Sequence, residues 1–80
     1  MTAEAAAGIV KHSLVIAGHR TSISLEDAFW QALRQLAAGQ GRKVGDLVAQ
    51  IDAARGTANL SSAIRVHVLE AAAATAAIKP

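Results

Sequence analysis

Two short stretches near the start of the chain have the composition and spacing of β-strands. Residues Ser13–Ile16 and Arg20–Leu25 are rich in β-branched and small polar side chains, which favour extended structure. The second stretch alternates apolar residues on one face with polar residues on the other, whereas the first has the opposite parity. A bulge or a tight turn near Gly18 would explain the switch. A bent strand and a small hairpin both fit this pattern.

A helix is expected directly after the second stretch, because the apolar spacing there changes from two residues to three or four. Its apolar positions are Phe29, Ala32, Leu33, Leu36 and Ala37. Ser24 and Asp27 approximate a capping arrangement at its start, and Gly39 and Gly41 are expected to end it. Trp30 lies beside the apolar stripe and is expected at the boundary of the core or at an interface.

Two further helices are predicted. One covers Val44–Arg55 and stops at Gly56; the other covers about Ser62–Ala74, with Asn59 or Ser61 as its cap. The last helix is apolar on more than one side, which is typical of a helix buried between subunits. The apolar stripe of the middle helix is Val44, Leu47, Val48, Ile51 and Ala54. The order of elements predicts an α+β fold that is mostly helical.

The size of the chain favours one domain that is stabilised by self-association. Residues 11–74 are expected to form the domain, with a disordered tail over 1–10 and a frayed end over 75–80. The chain has 80 residues and no cysteine, so disulfide bonds are unavailable and a second subunit is the usual remaining source of core. A single short strand also needs a partner for its backbone groups, which a copy of itself would supply across a two-fold axis.

Charge is distributed unevenly although the net charge is only +2. No acidic residue occurs between Ala5 and Leu25, whereas Lys11, His19 and Arg20 all lie in that interval. A locally positive segment is the pattern expected of an element that faces phosphate.

The sequence lacks the motifs of the common enzymes and cofactor proteins. The three histidines are not spaced as metal ligands, no glycine-flanked nucleophile occurs, and Gly39–Gln40–Gly41 lacks the lysine and hydroxyl residue of a phosphate loop. We therefore expect neither catalysis nor a bound metal or cofactor. The sequence shows no membrane span, no signal segment and no cysteine, so a cytoplasmic protein is expected.

The succession of strand, helix, glycine turn and helix resembles the ribbon-helix-helix family (Arc/MetJ-like). The resemblance rests on RTSISLEDAFWQALRQLAAGQG followed by RKVGDLVAQIDAA, and NLSSAIRVHVLE extends it to short bacterial members with an added helix. It implies an intertwined homodimer whose paired strands enter the major groove of double-stranded DNA, as in a transcriptional regulator. The implied dimer core is Ile23, Leu25, Phe29, Leu33, Leu36, Val48 and Ile51.

The resemblance also implies the roles of individual residues. Alternate strand residues contact bases in the family, which assigns that role to Arg20, Ser22 and Ser24. The start of the second family helix holds a phosphate, which fits the favourable charge of a helix N-terminus. The implied phosphate contacts here are Lys43, Val44, Arg42 and His19.

Two alternatives remain open from the sequence. Lys43 stands where family members usually have a capping residue. In addition, Ser61–Ala73 resembles the second family helix. If that segment is the second helix, the phosphate contacts would move to Ser61 and Ser62. The ribbon also carries only two small serines for base contact. An antitoxin-like or adaptor dimer, with a protein partner on the third helix, is therefore the second candidate function.

Overall fold

The two strand-like stretches form a hairpin. The computed structural model describes the backbone of residues 8–78 and the side chains of residues 8–74; most of the predicted N-terminal tail and the last two residues lie outside this range. Strand β1, Ile9–Ile16, pairs antiparallel with strand β2, His19–Glu26. β2 therefore has a partner within its own chain, and the expectation that it depends on a second copy for pairing is wrong.

A two-residue turn explains the opposite parity of the two strands. Ile16 pairs with His19, and the turn residues Ala17 and Gly18 have φ angles of 52° and 83°. Positive φ at both positions is characteristic of the type I′ turn, whose twist matches that of the strands. Even-numbered residues of β1 consequently share a face with odd-numbered residues of β2.

The first helix, α1, covers Asp27–Gly39 and follows β2 without a loop. Its N-cap is Glu26, which makes no side-chain capping bond, so the predicted capping role of Ser24 is wrong. The last backbone bond before the helix, from the Asp27 N–H to the Gly8 carbonyl at 3.0 Å, continues the hairpin ladder. The chain passes from strand to helix with its amide groups still paired, and a side-chain cap is not required there.

The end of α1 is a Schellman turn, as its glycines indicate. Gly41 has φ 65°, and the N–H groups of Gly41 and Arg42 donate to the carbonyls of Ala38 and Ala37, which is the bonding pattern of that motif. Helix α2 then covers Val44–Ala54.

The third helix, α3, covers Leu60–Ile78 and is longer than predicted. Asn59 caps it, because its side-chain oxygen accepts the Ser62 N–H at 2.8 Å. Of the two predicted caps, Asn59 is therefore confirmed.

The core lies between one face of the hairpin and the three helices. Phe29 and Leu36 are only partly buried, although both were expected in the core, whereas Trp30 is 1% exposed. The Trp30 indole N–H donates to the Val10 carbonyl at 2.8 Å. The Trp30 and His12 rings pack edge to face, with their centroids 4.6 Å apart. The buried set is Ile16, Ile23, Leu25, Trp30, Leu33, Ala37, Leu47, Val48, Ile51, Ile64 and Val68.

Candidate nucleic-acid interface

The hairpin has one face packed on the helices and one face open to solvent. We call the open one the ribbon face and define it by three cross-strand pairs. Two alternating strands that are buried on one side must present their other side chains outward. The pairs are Lys11 with Ser24, Ser13 with Ser22, and Val15 with Arg20.

The ribbon face combines two cations with small hydroxyl side chains. Lys11, Arg20, Ser13 and Ser22 are exposed, and the two serine hydroxyl oxygens are 3.5 Å apart. No carboxylate belongs to the three pairs, so the face is an anion-attracting surface. Hydroxyls and a guanidinium can both bond to base edges, and the major groove is wide enough to admit a two-stranded ribbon.

The acid nearest to this face is neutralised within the chain. Glu26 follows Ser24 on the same side of β2, and its carboxylate accepts hydrogen bonds from Arg65 of α3 at 2.8 and 3.4 Å. The hydrogen bond from Arg65 holds the pKa of Glu26 below its usual value. Arg65 therefore keeps Glu26 ionised while offsetting its charge beside the ribbon face.

The three residues expected to contact bases lie on one surface. Arg20 and Ser22 are exposed, and Ser24 is half-buried, since its backbone carbonyl accepts the Ser61 hydroxyl at 2.9 Å. His19, which was predicted to contact phosphate, lies on the opposite face from Arg20, at the exposed turn end of the hairpin.

Three of the four predicted phosphate contacts, Arg42, Lys43 and Val44, lie at the start of α2. Lys43 is exposed at the N-cap, and Val44 is half-buried in the first turn. This end of the helix touches the hairpin, because a side-chain carbon at Gly45 would stand only 3.0 Å from the Val15 carbonyl. Since Val15 pairs with Arg20, the structure brings Lys43 to the same end of the hairpin as Arg20.

Arg42 is engaged inside the chain. Its guanidinium donates to the side chains of Gln40 and Gln50 and to the Asp46 carbonyl. Arg42 thus braces the glycine turn against α2 and has fewer free donors than Lys43 for an external anion. The exposed carboxylate of Asp46 also lies in the first turn of α2, where it competes with an incoming phosphate.

The alternative phosphate residues on α3 already have partners. Ser61 donates to Ser24, and the Ser62 N–H is taken by Asn59. Both α2 and α3 contribute buried residues to the core. The start of α2, with its unpaired Lys43 side chain in the described part of the chain, is the better candidate for phosphate.

The sequence reasoning missed the contribution of β1 to this surface. Lys11, Ser13 and Val15 were not assigned to it, although a two-residue turn at Ala17–Gly18 fixes their parity relative to Arg20. Arg65 was also missed, because its partner Glu26 lies 39 residues earlier in the chain.

Among the described residues, no group of histidine and acidic side chains is arranged to hold a metal ion. No helix in the same range combines the length and hydropathy needed to cross a membrane.

Comparison with known proteins gives two matches. A family model described as a ribbon-helix-helix domain matches residues 9–72. The solved structure of an uncharacterized protein from Bordetella pertussis Tohama I is similar, with a TM-score of 0.76 and 28% identity. That match covers 91% of this chain and 62% of the other, so the chain spans less than two thirds of its length. No curated protein matches.

The family match begins with β1 and continues into α3. It therefore includes the hairpin, the glycine turn after α1 and the start of α2, which together carry the ribbon face and Lys43. Domains of this kind are generally found in non-enzymatic regulators, typically as DNA-binding dimers. By sequence and by fold, the chain belongs to the ribbon-helix-helix family.

Proposed function

We propose that this protein is a sequence-specific DNA-binding regulator that works as a homodimer and places the β2 residues of its ribbon face in the major groove. The observation that carries the proposal is Arg20, which is exposed beside Ser22 among three cross-strand pairs that contain no carboxylate. Arginine donates twice to a guanine edge, and serine bonds to several bases. Lys43 at the start of α2 supplies a phosphate contact next to the same end of the hairpin.

The edge of β2 that faces away from β1 supports a dimer. Antiparallel strands direct alternate backbone groups toward and away from each partner. The Ser24 carbonyl points away from β1, because it accepts the Ser61 hydroxyl. A cleft of about 600 Å³ runs along this edge, between β2 and the loop from α2 to α3. A second copy of β2 at this edge would create a central ribbon with two outward copies of Arg20.

The exposed apolar residues of α3 are continuous with that edge. Ser61, Arg65 and Leu69 follow one another at four-residue spacing and so lie along one side of the helix. The first two contact β2, and Leu69 is 65% exposed. Val66, beside it, is 52% exposed. A subunit docked on β2 would cover this part of α3, which accounts for apolar residues on a second side of the helix.

A direct test measures binding to duplex DNA and its dependence on salt. Sites selected from a random duplex library would be compared with random duplex for the parent, Arg20→Ala and Arg34→Ala. Arg34 is exposed on α1, in the helical layer behind the sheet, and is the matched control. If Arg20 contacts guanine, Arg20→Ala should weaken binding to selected sites by about 1–3 kcal/mol. The variant should also discriminate less between selected and random sequences. Lys43→Ala should weaken binding to all sequences and reduce the salt slope.

The outcome also decides between the two candidate functions. A parent protein that binds no duplex even at low salt contradicts the regulator proposal. The exposed Val66 and Leu69 then favour the second candidate, an antitoxin-like or adaptor dimer whose α3 contacts another protein. Sedimentation equilibrium of the parent and of Leu69→Glu tests the dimer separately, because a charge at a buried interface is costly. A folded monomer at micromolar concentration would contradict the homodimer.

A further inference from the structure

Lys11 lies on β1, away from Arg20, Ser22 and Lys43, which carry the proposed DNA contacts. It points outward on the ribbon face, opposite Ser24, and is exposed. Within residues 8–74, no carboxylate forms an ion pair with it; Glu26, the closest acid along the face, is bound to Arg65. Its charge is therefore available to an external anion.

The width of the proposed dimer sheet, compared with the width of the major groove, indicates which part of the DNA Lys11 would reach. Adjacent strands lie about 4.8 Å apart, so a sheet ordered β1-β2-β2-β1 across a dimer spans about 14 Å between its outer strands. The major groove is about 12 Å wide. In such a dimer the two central strands would occupy the groove, and each β1 would lie over a groove wall, where the phosphates are.

We infer that Lys11 binds a DNA backbone phosphate on the wall of the groove that β2 enters. This inference rests on the proposed function and adds β1 to the DNA-binding surface. Ser24 and Ser22 face the bases, and Lys11, one strand further out, fixes the position of the ribbon across the groove. The contact carries no sequence information, because it is made to a phosphate.

The test uses fluorescence anisotropy with a labelled duplex of random sequence and with a selected site, over a range of salt concentrations. The full chain is compared with Lys11→Ala, Lys11→Arg and Arg34→Ala. The loss of one phosphate contact makes the plot of log affinity against log salt less steep by about 0.9 for each copy of the chain. If parent and variant bind equally at about 1 M salt, the same relation gives about an eightfold loss for each contact at about 0.1 M salt.

Lys11→Ala should show both changes equally on random and selected DNA, Lys11→Arg should retain the parent slope, and Arg34→Ala should resemble the parent. Circular dichroism of each variant serves as the control for folding. If Lys11→Ala matches Arg34→Ala while Arg20→Ala still weakens binding, the Lys11 contact is refuted and the proposed function stands. A loss confined to the selected site would instead show a base contact and would also refute the inference. If the parent binds no duplex, both proposals fail.

Discussion

Replacing Trp30 tests the interior of this small protein most directly. Trp30 is the only tryptophan and is 1% exposed, and its indole N–H is bonded to the Val10 carbonyl at 2.8 Å. Trp30→Phe keeps an aromatic ring in contact with His12 but removes the donor and part of the ring system. The variant should therefore fold with a measurable loss of stability.

The size of that loss follows from the contacts removed. A net hydrogen bond contributes about 0.5–1.5 kcal/mol. The two missing ring carbons contribute roughly 1.5 kcal/mol, at about 0.8 kcal/mol for each buried carbon. The free energy of unfolding should fall by about 2–3 kcal/mol. For a domain of this size, each kcal/mol lowers Tm by roughly 4–8 °C.

A neighbouring residue provides the control. Phe29 is only partly buried, so Phe29→Ala should cost about 2 kcal/mol, whereas Trp30→Ala should cost roughly 3–5 kcal/mol, as expected for a fully buried aromatic residue. Urea unfolding followed by far-UV circular dichroism measures all three variants without relying on tryptophan fluorescence. Equal losses for the two alanine variants, or a larger loss for Phe29→Ala, would refute the assignment of Trp30 to the core.

Three further predictions concern the hairpin and its attachment to α3. Ile23→Asp should abolish the cooperative thermal transition, because it buries an unpaired carboxylate; a stability within about 1 kcal/mol of the parent would contradict the packing of the hairpin's inner face. Ala17→Asn should raise stability by about 1 kcal/mol in urea unfolding, since Ala17 has positive φ and asparagine tolerates it; a decrease would argue against the type I′ turn. Arg65 lowers the pKa of Glu26 in the folded state, so this pair stabilises the fold above the ordinary glutamate pKa and the gain is lost as pH falls through the folded pKa. Arg65→Gln should therefore flatten the dependence of Tm on pH in the acidic range, and an unchanged profile would refute the coupling.

Local sequence patterns were sufficient to predict the three helices, the second strand and the side of β2 that faces outward. Alternation in β2 predicts the exposed Arg20 and Ser22, and glycine at 41 predicts the end of α1, because these features depend on local backbone geometry. The cap at Asn59 is local for the same reason. A resemblance carried by these local patterns was sufficient to identify the family.

Features that depend on distant partners became known only from the folded chain. Phe29 and Trp30 are adjacent, and either could border the apolar stripe of α1. Trp30 is the buried one because β1 supplies a carbonyl for its N–H, 20 residues away. The Ser24 hydroxyl is not needed as a cap, because the hairpin ladder already continues to Asp27. Folding β1 back onto β2 likewise placed Lys11 on the ribbon face, since only the geometry of the turn relates the parity of one strand to that of the other.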